Sequence, residues 1–297
     1  MALGLAPSPA ARSAASAATA PTLTELKNLT YRGLQGDSVI TLVDGRWEGT
    51  PAVPGDVVRP FATYLRDFRR TGDLNGDGAD EAVGLLGLNM GGTGSFVYVA
   101  AVGRKDGAPR ALATHLLGDR IQVRDAAVEH GEIVLDLVAN GEQDAMCCPG
   151  DLVRLGLKLQ GNALVETASS ARQGRLTPAT AFGDTVWVLR SWSWEEAAPA
   201  EPMITLQYRD GKLGGKSACN RYFATVRAGE MPGDVVVSGL GGTMMACADS
   251  VMADETRYMR QLAGANKLGF MGGQLMVNWA GKDGQSGVML FERKGAR

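Results

Sequence analysis

From residue 23 onward the chain is written in short apolar runs broken by turn residues, the pattern of a protein built mainly of β-strands. Residues 39–42, then Asp44 and Gly45, then Trp47 form a hairpin signal: a strand, a two-residue turn that accepts positive φ, and an aromatic return. Residues 82–88 and 96–102 are near-continuous apolar runs, separated by the glycine turn at Gly91, Gly92 and Gly94. Further runs at 116–121, 133–138 and 153–159 lie between turn residues such as Asp106, Gly107 and Gly131. In the second half the pattern predicts strands at 185–189, 204–208, 222–226, 235–237, 269–270, 275–279 and 288–291. Helical spacing stands out at 250–263, where Tyr258, Met259 and Leu262 make an apolar side. Asp249 or Ser250 is placed to cap that helix, with Asp254 and Glu255 near its positive end. The fold class is therefore mainly β with an α+β second half, its strands antiparallel and joined by short loops.

Composition divides the chain. At 297 residues it is long enough for about two domains. Residues 1–22 are rich in Ala, Ser, Pro and Thr and suit a flexible tether. Ala18, Thr19 and Ala20 have the small-x-small form of a signal cleavage site, without the basic and apolar stretches that precede one. A β-rich module is expected at 23–165, an interdomain linker at 166–182, where Ser, Ala, Arg, Gln and Thr surround Pro178, and a second domain at 183–297. An apolar share of 45% and 40 glycines fit a folded protein with many turns. The net charge of −2 supplies no basic footprint for nucleic acid, and no run of 18 apolar residues spans a membrane.

One stretch is spaced for a chemical task. Asp73, Asn75, Asp77, Ala79 and Glu81 fall at positions 1, 3, 5, 7 and 9 of a loop with Gly78 at the sixth. A hard divalent cation needs about six to eight oxygens, and alternate residues of a curled backbone can aim them at one centre. Asp73, Asn75, Asp77 and Glu81 would give side-chain oxygens and Ala79 its carbonyl, with Asp80 turned away or in a supporting hydrogen bond. The twelfth position is Gly84 rather than the Glu of an EF-hand. The loop resembles instead the short aspartate-rich calcium loops of FG-GAP and VCBS-type β-repeat proteins. A solvated Asx-rich turn uses the same residues without a metal.

Two longer resemblances follow. Gly72 with the loop, Gly91 to Phe96, Leu117 to Arg120, and Cys147, Cys148 and Pro149 resemble an uncharacterised module of bacterial exported proteins and lipoproteins, over about 23–165. Ser217, Ala218, Cys219, Asn220, Arg221, Tyr222 and Phe223, then Thr243, Met244, Met245, Ala246 and Cys247, then the helix and Leu290, Phe291, Glu292 and Arg293, resemble the META domain family (HslJ-like), over about 183–293. Ala218 stands where that family usually has glycine. This resemblance implies a small antiparallel sheet with a helix, found in bacterial envelope proteins linked to stress tolerance, and it brings no catalytic residues.

Four cysteines and two histidines are poor material for structural zinc and favour disulfides in an oxidising compartment. Cys219 with Cys247 is the first pairing, because Cys147 and Cys148 are neighbours. A bond between neighbours holds Cα atoms about 3.8 Å apart, below the usual range, so that pair is open between a strained bond and two buried free thiols. The sequence does not place His115 or His130 beside Cys219 or Cys247, and neither cysteine has the flanking signature of a thiol enzyme. Glu195 and Glu196 are adjacent, which places them on opposite sides of an extended chain rather than as an acid–base pair. Trp187, Trp192, Trp194, Met244 and Met245 are expected in the core. The reading is a non-enzymatic exported envelope protein with structural calcium at Asp73, Asn75, Asp77, Ala79 and Glu81, binding a protein or envelope component in stress tolerance. The alternatives are a hydrolase of envelope polymers, or an inhibitor of such an enzyme.

Overall fold

A computed structural model describes residues 19–36, 38–51 and 57–295. The first half runs α1 (Leu23–Lys27), β1 (Thr30–Arg32), β2 (Val39–Thr41), β3 (Arg46–Glu48), β4 (Phe61–Tyr64), β5 (Arg70–Gly72), β6 (Glu81–Asn89), β7 (Phe96–Lys105), β8 (Ala108–Asp119), β9 (Gln122–Glu129), β10 (Glu132–Ala139), β11 (Asp151–Gln160), β12 (Ala163–Glu166) and β13 (Ala171–Arg175). The second runs α2 (Pro178–Phe182), β14 (Trp187–Ser191), β15 (Thr205–Arg209), β16 (Lys212–Lys216), β17 (Arg221–Ala228), β18 (Val235–Gly242), α3 (Asp249–Ala263), β19 (Ala265–Met271), β20 (Gln274–Ala280) and β21 (Ser286–Arg293).

The continuous apolar runs become β6 and β7, which pair with each other and are covered on both faces. Val83, Leu85, Val99 and Ala101 point toward Ile133, Leu135, Leu155 and Leu157 of β10 and β11. Ala82, Leu86, Leu88, Ala100 and Val102 point the other way, toward Leu26 of α1, Tyr31, Ile40 and Leu42. The first half is thus two antiparallel sheets packed face to face, β3-β4-β6-β7-β8 with β5 and β12-β11-β10-β9 with β13, and a β1-β2 ribbon with α1 over the outer side. Asp44 and Gly45 make the expected tight turn, both at positive φ, between Val43 and Arg46. The hairpin stops at that one bridge, because β2 pairs with β1 and β3 with β4.

The stretch 166–182 is ordered rather than a bare linker. β13 pairs with β11, and α2 buries Phe182 in the second half's core. Thr177 caps α2 through the Thr180 amide and Pro178 occupies its first turn, where a missing N–H is harmless. The expected tether 1–22 lies mostly outside the described residues, although Thr22 caps α1 in a box with Glu25.

The second half is one eight-stranded sheet ordered β18-β17-β16-β15-β14-β21-β20-β19. It curls until its ends meet, with Asp234 bridging Lys267 and the Leu268 amide donating to Gly233 O at 2.7 Å. α3 supplies Tyr258 and Leu262 to the enclosed core with Trp187, Phe270 and Phe291. Its N-cap is Ala248, not Asp249 or Ser250, and no side chain caps it. Val138 and Leu152 of the first half share this core. Polar contacts finish the seam: the Gly273 amide donates to Val123 O (3.0 Å), the Phe270 amide to Gln122 Oε1 (2.8 Å) and Arg66 Nε to Gln274 Oε1 (2.8 Å).

Candidate functional site

Among the described residues, two polar clusters bear on function. The first is the acidic loop between β5 and β6. Asp73 Oδ1 accepts from the Asn75 and Gly76 amides (3.2 and 2.7 Å), and its Oδ2 from Gly78 (3.0 Å). Asn75 Oδ1 accepts from Asp77 N, and Asp77 Oδ1 from Ala79 N, both at 2.8 Å. The loop is a run of Asx turns whose glycines, Gly76 and Gly78, sit at positive φ. Asn75 Nδ2 donates at 3.0 Å to both Asp77 Oδ2 and Glu81 Oε1, while the Leu74 amide donates to Glu81 Oε2 at 2.8 Å.

Asp73, Asn75, Asp77 and Glu81 are therefore brought together, and Asp80 is exposed as expected. Glu81 is only 3% exposed. Burial, with the charges of Asp77 and Asp73, raises its carboxyl above the usual range, against the pull of the Leu74 amide. The amides of Gly78 and Gly76 lower that of Asp73. No lysine or arginine among the described residues forms an ion pair with these carboxylates. Asn75 Nδ2 stands between the Asp77 and Glu81 carboxylates. Among the described residues no three His, Cys, Asp or Glu side chains are already arranged as a metal group.

The second place is a polar knot that sequence reasoning missed. β17 begins just after Asn220, which is 3% exposed and spends its whole amide on hydrogen bonds. Its Nδ2 donates to Glu255 Oε1 (2.9 Å) and Met245 O (3.1 Å), and its Oδ1 accepts from Thr243 Oγ1 and the Met245 amide, both at 2.7 Å. Glu255, from α3, also accepts from the Asn220 amide (2.7 Å) and from Ser217 Oγ (2.8 Å). Burial pushes the Glu255 carboxyl up, but these donors outweigh it and leave it below the usual range. The Cys219–Cys247 disulfide, with Cα atoms 6.1 Å apart, ties the same two segments. Ala218 lies at φ +90°, in the region that favours glycine.

Three apolar side chains near the knot are exposed, contrary to the expectation of core methionines. Met244 is 98% exposed, Met245 57% and Phe223 62%. Phe223 extends from β17, its ring over Gly241 of β18. Trp187 and Trp192 are buried as expected, Trp192 under the Arg257 guanidinium. Trp194 is exposed beside Arg66. Cys147 and Cys148 are joined to each other, with Cys147 exposed and Cys148 buried.

An antiparallel sheet curled around one helix and closed by this disulfide-bound knot defines the class of the second half. The META domain model matches residues 180–294, and the C-terminal domain is a META domain. The chain is also similar to an NMR structure of a protein from Burkholderia xenovorans, at 24% identity over 43% of this chain and 96% of that one, with a TM-score of 0.31. No curated protein matches the chain. Among the described residues no helix is long and apolar enough to cross a membrane.

Proposed function

We propose that this is an exported envelope protein that binds a protein partner through its META domain and uses no catalysis of its own. The carrying observation is the surface beside the knot: Phe223, Met244 and Met245 stand in solvent while the segments bearing them are fixed by Asn220, Glu255 and the Cys219–Cys247 bond. Rigidly held, exposed aromatic and methionine side chains are the composition of a binding surface rather than of a solvated loop. Two disulfides support an oxidising compartment. The loop from Asp73 to Glu81 would hold calcium in a structural role, the cation supplying the positive charge that buried Glu81 lacks. Division into a β-rich module and a META domain belongs to the same reading, as does a role in stress tolerance. The test is cross-linking from the Met244 position in an envelope extract, compared with a Phe223→Ser variant of unchanged circular dichroism.

A hydrolase remains the second reading because a cleft of about 820 Å³ beside the acidic loop is lined by Asp73, His130 and Lys158. It predicts release of fragments from envelope polymer that His130→Ala abolishes. The binding reading predicts no such release.

A further inference from the structure

The two sulfurs of the Cys147–Cys148 pair are adjacent in sequence but differ in surroundings. Cys147 is exposed and lines a cleft of about 270 Å³ between the two halves, together with Arg120, Gln122, Pro149 and Met276. Cys148 is buried, and Lys267 Nζ, from β19 of the META domain, lies 3.4 Å from its Sγ. The same ammonium reaches Asp234 Oδ1 at 3.0 Å. The turn carrying the pair is held from both ends: Asp144 Oδ2 accepts from the Gly141 and Gly150 amides and from Arg175, and the Cys148 amide donates to Ala145 O. Pro232 packs against Gly150 so closely that no Cβ would fit there.

Thiol–disulfide exchange runs fastest when one sulfur is open to attack and the other leaves as a stabilised thiolate. We infer that Cys147–Cys148 is a thiol-exchange site, at which a low-molecular-weight thiol attacks Cys147 while Cys148 leaves as a thiolate beside Lys267. In the first step the incoming thiolate forms an S–S bond to Cys147 Sγ. The Cys147–Cys148 bond breaks, and its electron pair stays on Cys148 Sγ. No net oxidation occurs until a second thiolate attacks the carrier sulfur of the mixed disulfide. That step releases Cys147 as a thiolate and the carrier as its own disulfide, so two external thiols supply the two electrons. With the first step alone, Cys148 can attack back and expel the carrier. Exchange places a new negative charge beside Lys267, where this side chain of the META domain meets Cys148 of the first half. The Cys219–Cys247 pair differs: the polar atom 3.6 Å from Cys219 Sγ is the Met245 carbonyl oxygen, not a cation.

The probe is reduced glutathione added to the oxidised full-length protein, followed by N-ethylmaleimide quenching and peptide mass mapping. The expected result is no free thiol beforehand, then glutathione on Cys147, maleimide on Cys148 and an intact Cys219–Cys247 bond. Lys267→Met should slow adduct formation by about an order of magnitude, and Lys267→Arg should keep most of the rate. Four free thiols at the outset, glutathione on Cys148, prior opening of Cys219–Cys247, or an unchanged rate in a folded Lys267→Met variant would each overturn the inference. The site mapping uses the unmutated protein, so it decides even if that variant does not fold.

Discussion

Asn220→Ala is the substitution that most directly questions the knot. It deletes four side-chain hydrogen bonds, to Glu255, Thr243 Oγ1 and both the amide and carbonyl of Met245. A neutral bond contributes about 0.5–1.5 kcal/mol net and one to a charged group about 1.5–3 kcal/mol. The simple sum is about 3–7 kcal/mol, and because the bonds share partners a loss of about 3–5 kcal/mol is the expected outcome. That is a large part of the ~5–15 kcal/mol that holds a folded domain. Urea unfolding at pH 7, with the disulfides oxidised and tryptophan fluorescence as the probe, should show a fall in midpoint with an unchanged slope. Asn220→Asp should fare no better, since it sets a second carboxylate where Nδ2 meets Glu255. A loss below about 1 kcal/mol in Asn220→Ala would refute the claim that this amide organises the segments carrying Met244 and Cys247.

Ala218→Gly should change stability by no more than about 1 kcal/mol, because relief at φ +90° is offset by chain entropy and a lost buried methyl, whereas Ala218→Val should cost more than about 2 kcal/mol. Differential scanning calorimetry distinguishes the two. Glu255 has a lowered carboxyl, so its contribution is present above the unfolded carboxylate value near about 4.3 and is lost as pH falls through the folded value. Unfolding midpoints measured from pH 7 down to pH 3 should therefore fall less steeply in Glu255→Gln. Saturating calcium should raise the melting temperature of the unmutated protein by about 5–10 °C, and Asp77→Ala should abolish the shift. No shift in the unmutated protein would remove the cation from the account.

Much of the fold was legible because burial leaves a mark on local pattern. β6 and β7 are apolar at nearly every position since both faces are covered, and α3 shows Tyr258 and Leu262 at helical spacing. Asp44 and Gly45 revealed the turn but not the pairing, since partner choice for β2 and β3 depends on strands elsewhere in the chain. The ordered stretch at 171–182 was masked by its small polar residues, yet Thr177 followed by Pro178 is a helix-start signal that could have found α2. In the acidic loop, the hydrogen bonds among Asp73, Asn75, Asp77 and Glu81 span nine residues, so the spacing of the sequence already places these side chains near one another. The knot was hidden for the opposite reason. Glu255 reads as an ordinary charge near a helix start, and only folding brings it to Asn220, 35 residues away. Met244 and Met245 look like core residues until Asn220 pins the Met245 backbone and turns both side chains outward.

Partner binding at this surface is read most directly by replacing Met244 with a photo-crosslinking residue in the 297-residue chain and irradiating it in an envelope extract. Binding at this surface should give one discrete protein adduct, lost when Phe223→Ser is added to a chain with unchanged circular dichroism and urea midpoint. No adduct, or an adduct that survives Phe223→Ser undiminished, would contradict the assignment of this surface as the binding site.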